Sequence, residues 1–315
     1  MTLSHCLKKK ILAIFMNKPL NINSDWTRQI KSGRQPSSAD LQAHLTTVHD
    51  NNAGFTEVCA WNCRDSDGKN SYDLLADIVD QENHSNVLDL ACGSGVLLDL
   101  CHQRFGTKVA LSGADMSEAE LRLARKRLAH TDIKLHSGMA QDLTCIADAS
   151  VNVILCHWAL TLMDPVAPVF TNVKRILTKD GIFAAIIDGD AKFAPGYQEV
   201  HDIIYASTQS EYPDYEAIDL GDPRVRTAAA LKELAAQSFI EAEIEIMPMV
   251  LSFYSSADVL AREAAGFFYA SFVLSAAVHQ KMLLDLESHF SSNQRNGSSC
   301  FTLPVNRLVI KLPAL

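Results

Sequence analysis

The stretch that decides the fold is residues 87–100, VLDLACGSGVLLDL. An apolar run that contains one carboxylate, Asp89, is followed by two glycines, Gly93 and Gly95, and then by a second apolar run. This order is typical of a buried strand, a tight glycine turn and the start of a helix. It predicts a ligand site at the end of a strand, and the residues around the turn indicate which ligand.

Strand and helix signals alternate on the C-terminal side of this stretch. Short apolar strands separated by helices predict a parallel sheet covered on both faces. The sequence IEAEIEIMP (240–248) alternates and predicts a half-exposed strand at the sheet edge, and CFTLPVNRLVIKL (300–312) predicts a closing strand. The five strands predicted before these are 87–91, 108–115, 133–138, 151–157 and 181–188.

The chain divides into three predicted regions. Residues 1–38 are expected to form a weakly ordered extension, residues 39–80 a helical cap, and residues 81–315 one domain with a helical lid insertion at about 256–298. The uncharged segment 264–278 would be about 22 Å long as a helix, which is short of a bilayer core of roughly 30 Å. We therefore expect no membrane span there, and the six-residue apolar run ILAIFM is too short for a signal peptide.

Composition narrows the possible partners. The net charge of −9 disfavours nucleic acid, because binding a phosphate backbone usually needs a basic face. The eight cysteines show no disulfide framework spacing, which favours a reducing, cytoplasmic setting. We predict no metal site, because the histidines and cysteines do not fall at ligand spacing and Cys59 with Cys63 is a weak pair alone.

Two ligand classes compete for the glycine turn. A dinucleotide-binding turn needs G-x-G-x-x-G, and the third position here is Leu98. A carboxylate inside the strand, Asp89, would repel a pyrophosphate and attract a cationic ligand. The residues therefore favour a cationic ligand over a dinucleotide.

The stretch DLACGSG (89–95) resembles motif I of class I S-adenosylmethionine-dependent methyltransferases, an acid followed by G-x-G-x-G, with Ala91 at the first glycine. The resemblance extends over about 72–190 and more weakly to the C-terminus. It implies an α/β fold with a Rossmann-like, doubly wound, mostly parallel sheet and an antiparallel closing strand, plus the helical N-terminal cap and helical C-terminal insertion. It also implies S-adenosylmethionine as cofactor, whose sulfonium and amino group suit Asp89.

Further motifs imply how the cofactor is held. In GADMSE (113–118), Asp115 is expected to accept hydrogen bonds from the ribose hydroxyls and Met116 to pack on the adenine, while Ser117 suits a helix N-cap. In SGMAQDL (137–143), Met139 replaces the aspartate of the family, so the base is expected to rest on backbone near Ala140. The full predicted cofactor set is Asp89, Ala91, Cys92, Gly93, Gly95, Asp115, Met116, Met139, Ala140, Gln141, Cys156 and Tyr72.

The methyl acceptor is expected at the end of the strand in SVNVILCHWALTLMDP (150–165). Histidine is the natural base near neutral pH, so His157 is the first candidate for a general base, followed by His49 and His201; a structural role for each stays open. Apolar and aromatic side chains predict a small apolar or aromatic acceptor. The candidates that would bind it are Trp158, Tyr197, Phe267 and Phe268.

Two other functions stay open at this point. The domain could bind S-adenosylmethionine as a non-catalytic partner or regulatory subunit, which formation of S-adenosylhomocysteine would exclude. It could also be a dinucleotide-dependent oxidoreductase, which the missing third glycine disfavours and a titration with NAD would test.

Overall fold

The computed structural model describes residues 21–218, 220–294 and 297–314. Its centre is a seven-stranded sheet in the order β3-β2-β1-β4-β5-β7-β6. Strands β1 to β5 are parallel, and β7 is antiparallel to both of its neighbours, β5 and β6. The strands are β1 Asn86–Leu90, β2 Ala110–Asp115, β3 Lys134–Ser137, β4 Val151–His157, β5 Leu177–Asp188, β6 Glu243–Ser255 and β7 Ser299–Lys311.

Helices cover both faces of the sheet, and additional helices form a cap and a lid at one end. The helices of the described ranges are α1 Asp25–Lys31, α2 Ser38–Asn52, α3 Glu57–Asn62, α4 Ser71–Ala76, α5 Val96–Phe105, α6 Glu118–Arg127, α7 Ala167–Ile176, α8 Tyr197–Gln209, α9 Ala228–Ser238, α10 Ala257–Phe267 and α11 Ala276–Ser292. A 3-10 turn, Tyr269–Val273, links α10 to α11.

The two-residue period of the strands divides the core into two layers. In β1, Val87 belongs to the layer beneath the cap and lid, whereas Leu88 and Leu90 belong to the opposite layer. Asp89 therefore points to the same side as Val87, because alternate side chains of a strand share a face. In the same way β2 places Asp115 on the face of Leu111. Both carboxylates consequently lie at the carboxyl edge of the sheet, beneath the cap.

The predicted fold class is confirmed. All seven predicted strands form and the closing strand is antiparallel. Of the predicted segment 240–248, residues 243–248 lie on the edge strand β6, with Glu243 and Glu245 exposed. The apolar segment 264–278 forms parts of two helices and the 3-10 turn between them. Of the helices in the described ranges, none combines the length and apolarity needed to cross a bilayer.

The prediction of a weakly ordered extension over 1–38 differs from the structure in its described part. Residues 1–20 lie outside the described residues. Helix α1 begins after an N-cap at Ser24 and buries Trp26 and Ile30, each 1% exposed. The Trp26 ring stacks on His44 of the cap with 4.6 Å between ring centroids and meets Tyr215 edge-on. The segment from α1 onwards thus packs into the core, because its apolar side chains find partners far along the chain.

We expect Trp26→Ala to lower the free energy of unfolding by about 3–5 kcal/mol, because truncating a buried aromatic ring leaves a cavity. Arg28→Ala on the same helix is the control. Arg28 is exposed and pairs with Asp25 on the surface, so its loss should change stability by less than about 0.5 kcal/mol. Urea titration monitored by far-UV circular dichroism measures both, and equal stabilities of the two variants would show that α1 does not contribute to the core.

Candidate active site

A cavity of about 350 Å³ lies at the carboxyl ends of β1, β2, β4 and β5, beneath the cap and the lid. In open parallel sheets, ligands bind at this edge, where strand ends and the following loops meet. Most of the residues predicted for the site line it. Those lining the cavity are His49, Tyr72, Asp89, Ala91, Cys92, Gly93, Asp115, Met116, Met139, Ala140, Gln141, His157, Trp158, Tyr197, His201, Phe267 and Phe268.

One carboxylate oxygen of Asp89 is buried without accepting a hydrogen bond from the described part of the chain. Its side chain is 2% exposed, and Oδ1 has no hydrogen-bond partner among the described residues. Burial and the nearby charge of Asp115 raise the pKa of Asp89 well above its usual range. A buried acceptor of this kind is costly unless a donor reaches it, so the geometry calls for a cationic or N–H-bearing ligand.

Asp115 is held rigidly by the turn beside it. The backbone N–H of Gly93 donates to Oδ2 and that of Ser117 donates to Oδ1, each over 2.8 Å. Burial raises the pKa of Asp115, although these two N–H groups and His49 oppose the rise. Ser117 also caps α6, as predicted, by accepting from the N–H of Glu120. Each carboxylate oxygen keeps a lone pair for a ligand hydroxyl.

The glycine turn bends through left-handed backbone at three alternate residues. The φ angles are 57° at Ala91, 50° at Gly93 and 79° at Gly95. Ala91 therefore occupies a conformation that glycine adopts more easily, at the position where the family pattern has glycine. A Cβ at Gly95 would lie 3.2 Å from Ala124 Cβ and from Leu128 Cδ1 on α6. Gly95 thus serves close packing of the turn against α6, and it does not line the cavity.

The loop after β3 forms a further wall of the cavity with Met139, Ala140 and Gln141. Gly138 donates its N–H to the carbonyl of Asp115 over 3.0 Å, which ties this loop to the end of β2. The Asn172 side chain donates to the carbonyls of Ala140 and Gln141. The backbone of the loop is therefore fixed, although the aspartate of the family pattern is missing.

The cap is bound to the glycine turn by an ion-pair network. Arg127 of α6 donates to the carbonyl and hydroxyl of Ser94 and pairs with Glu57 of α3 over 2.7 Å. The Ser94 hydroxyl also bonds Glu57. Asp50 at the end of α2 accepts from the Ser117 hydroxyl over 2.7 Å. These contacts position the cap directly over the ends of β1 and β2.

His157 lies at the end of β4, as predicted, but it is a weak base. Its Nε2 is 2.8 Å from the hydroxyl of Ser71, and its ring stacks on Tyr72 with 3.9 Å between ring centroids. Burial lowers the pKa of His157 to about 3. The imidazole is therefore neutral over the physiological range and holds a proton poorly.

His49 has both ring nitrogens engaged. Nδ1 lies 2.9 Å from Glu120 Oε1, and Nε2 lies 2.8 Å from the hydroxyl of Tyr269 in the lid. Burial alone would lower the pKa of His49, but the hydrogen bond and charge of Glu120, with Asp115 and Asp50, raise it above its ordinary value. Glu120 itself accepts the N–H of Gly54 at both carboxylate oxygens.

Aromatic side chains line the end of the cavity next to β4, β5 and the lid. Trp158 has a φ of 55° and donates its indole N–H to Asp188 over 3.0 Å. Its ring meets Phe267 edge-on, and Phe268 packs at a tilt against Tyr197. The stacked pair His201 and Tyr205 completes this wall, together with Arg226.

Cys156, like Gly95, is a predicted site residue that does not line the cavity. It is fully buried in the opposite layer with Leu88 and Val169. Because side chains alternate along β4, a strand that directs His157 into the cavity directs Cys156 away from it. Glu120 and Tyr269 were not predicted from the sequence, because their partners lie far away in the chain. Asp188 was not predicted either, although its position at the end of β5 indicates a place at the site.

Metal ligands do not gather in the described ranges. No group of three or more histidine, cysteine, aspartate or glutamate side chains is arranged to hold a metal ion there. The seven cysteines within those ranges are free thiols.

Residues 81–204 match the family model described as a methyltransferase domain. This part of the chain is therefore a methyltransferase domain. No curated protein sequence matches the methyltransferase.

Three solved structures share the fold. The YcgJ protein of Bacillus subtilis has a TM-score of 0.53 and 14% identity, over 77% of this chain and 98% of that one. A protein of Bacillus halodurans C-125, provisionally classed as a methyltransferase, has a TM-score of 0.52 and 14% identity, over 77% and 99% of the two chains. One of Anabaena variabilis ATCC 29413, provisionally classed as a methyltransferase from an antibiotic biosynthesis pathway, has a TM-score of 0.51 and 13% identity, over 72% and 90%. At these identities the likeness establishes the fold alone.

The residues of the cavity fit S-adenosylmethionine, the cofactor of this methyltransferase class. The unpartnered oxygen of Asp89 suits a cationic amino group, and the free lone pairs of Asp115 suit ribose hydroxyls. When bound, this cofactor supplies an electrophilic methyl group on a sulfonium. The residues that would hold it lie at the ends of β1 and β2 and in the loop after β3.

We expect Asp89→Asn to weaken binding of S-adenosylmethionine about 10- to 100-fold, because a charge-assisted hydrogen bond is worth about 1.5–3 kcal/mol. The same change should raise the thermal midpoint of the ligand-free protein at pH 8, because it removes a buried charge beside Asp115. The direction follows from the linkage of protonation to folding. Because the pKa of Asp89 is higher in the folded than in the unfolded protein, its ionised carboxylate lowers the stability of the fold at pH values above the unfolded pKa.

Isothermal titration calorimetry and differential scanning calorimetry measure the two effects. The control is Asp99→Asn on α5, whose carboxylate accepts from Gln103 outside the cavity. Unchanged cofactor affinity in Asp89→Asn would remove this carboxylate from the cofactor site.

Proposed function

We propose that this methyltransferase transfers the methyl group of S-adenosylmethionine to a small apolar or aromatic molecule. The observation that carries the proposal is the aromatic end of the cavity, which continues directly from the cofactor residues. Asp89 and Asp115 would hold the cofactor at one end, and Trp158, Tyr197, Phe267 and Phe268 would hold the acceptor at the other.

The aromatic walls favour a flat or apolar acceptor. Trp158 and Phe267 meet edge-on with 5.0 Å between ring centroids, and Phe268 lies near both Tyr197 and His201. Such walls bind apolar surface, and polar side chains at the same end, among them His201 and Arg226, would orient the ligand. Asp188 fixes the Trp158 ring, so the walls are preformed.

The volume of the cavity and its enclosure by the cap and the lid favour a small molecule over a macromolecule as methyl acceptor. A space of about 350 Å³ beneath a cap and a lid suits a compact ligand. The net charge of −9 further disfavours nucleic acid. A reducing, cytoplasmic setting remains part of the proposal, and the buried free thiols of Cys92, Cys101 and Cys156 are consistent with it.

The experiment that tests the proposal is the formation of S-adenosylhomocysteine with two matched panels of acceptors. One panel holds phenols, indoles and aromatic amines, and the other holds sugars and aliphatic amino acids. Mass spectrometry identifies the methylated product. We expect turnover with the first panel; turnover confined to the second would overturn the proposed acceptor class.

We expect Phe267→Ala to lower kcat/KM for an aromatic acceptor about tenfold or more, because the ring contributes buried apolar area to the acceptor wall. Binding of S-adenosylmethionine should stay within about threefold. Phe193→Ala is the control, because Phe193 is 52% exposed and lies outside the cavity. Equal kcat/KM values for the two variants would contradict the assignment of Phe267.

A further inference from the structure

We propose that Glu120, His49 and Tyr269 form the relay that takes a proton from the methyl acceptor, with the Tyr269 hydroxyl as the atom that meets the acceptor. This proposal rests on the proposed function. It makes Tyr269 a catalytic residue of the lid and gives His49 and Glu120 positioning and proton-holding roles behind it.

The first support is a continuous hydrogen-bonded chain through three separate elements. Glu120 is on α6, His49 is on α2, and Tyr269 begins the 3-10 turn of the lid. The two links measure 2.9 Å and 2.8 Å. Glu120 is 3% exposed and is fixed by the N–H of Gly54, so the far end of the chain is immobile.

The second support is that Tyr269 lines the cavity. Burial raises the pKa of Tyr269 well above its usual range, and the charges of Glu120, Asp115 and Asp188 add to the rise. Phe267 and Phe268, which line the acceptor end, directly precede Tyr269 in the chain. Tyr269 therefore lines the same cavity as the residues proposed to hold the cofactor and the acceptor.

The third support is the order of donors and acceptors along these hydrogen bonds. An ionised Glu120 can only accept, so Nδ1 of neutral His49 carries the proton and Nε2 is free to accept from the Tyr269 hydroxyl. The acidic groups that face His49 are Asp50 on its own helix, Asp115 on β2 and Glu120 on α6, with the Phe55 ring beside it. Negative charge on three elements stabilises the imidazolium that proton uptake would form.

The proton balance of the reaction needs such a group. Methyl transfer breaks the bond between sulfur and the methyl carbon, whose electron pair stays on sulfur, and forms a bond between the acceptor atom and that carbon. The acceptor atom must then lose one proton. The Tyr269 oxygen takes it and passes its own proton to His49 Nε2, and Glu120 balances the resulting charge. Solvent receives the proton when the product leaves.

The other two candidate histidines lack this arrangement. His157 has its pKa lowered to about 3 by burial and has a hydroxyl partner in Ser71. His201 stacks on Tyr205, and Asp202 lies 3.4 Å away on the exposed side. Neither of them connects a buried carboxylate to a group at the acceptor end of the cavity.

The kinetic test compares His49→Gln and Tyr269→Phe with His130→Gln and Tyr254→Phe, which change exposed residues outside the cavity. We expect kcat/KM at pH 7 to fall at least tenfold in the first two and to stay within twofold in the controls. Calorimetry should show S-adenosylmethionine binding within about threefold of wild type in all four. A wild-type rate that is lost as pH falls through a midpoint above 6.5 should become independent of pH in His49→Gln.

The second measurement needs no acceptor. In ¹⁵N-labelled protein, NMR titration of the imidazole nitrogens should give His49 a pKa above 6.5, and Glu120→Gln should lower it. A His49 pKa at or below 6.5 would overturn the relay, as would a wild-type pH profile retained in His49→Gln, which indicates a merely structural tie. Absence of S-adenosylhomocysteine with every acceptor would contradict the proposed function, and the NMR titration would then decide the relay alone.

Discussion

Two carboxylates buried side by side at the ends of neighbouring strands constrain the rest of this methyltransferase. Asp89 and Asp115 occupy one face of β1 and β2, and each lies in a site where burial disfavours its charge. Such a pair is unfavourable in the empty protein and becomes favourable when a cation and hydroxyl groups reach it. The glycine turn, the fixed loop after β3 and the cap all surround this pair, so the fold is organised around the cofactor it binds.

The position of these carboxylates at the cavity could be predicted from the sequence because the signals are local. Strand, glycine turn and helix follow one another within 87–100, and the family resemblance adds the functions of Asp89 and Asp115. The strand order and the antiparallel β7 follow from the same resemblance. The two-residue period of β4 was also available from sequence, and applying it would have separated Cys156 from His157.

The hydrogen-bonded chain from Glu120 through His49 to Tyr269 could not be predicted because it depends on contacts between distant segments. The link from His49 to Tyr269 joins residues from the cap and the lid, and Glu120 enters from a helix between them. No spacing in the sequence indicates that these side chains meet. Neighbouring charges likewise decide which histidine can hold a proton. Burial lowers the pKa of His157, whereas at His49 the acidic groups, Glu120 first, overcome the same effect of burial. The packing of Trp26 against His44 is another contact of this kind.

The two margins of the sheet have a consequence for how the molecule behaves at high concentration. On one side the sheet ends in β3, which has four residues, and on the other in β6, which carries exposed Glu243 and Glu245 and also Pro248. Short strands, outward charges and a residue without an amide hydrogen all discourage a foreign strand from joining. The open sheet is therefore protected at both borders against growth into ordered aggregates.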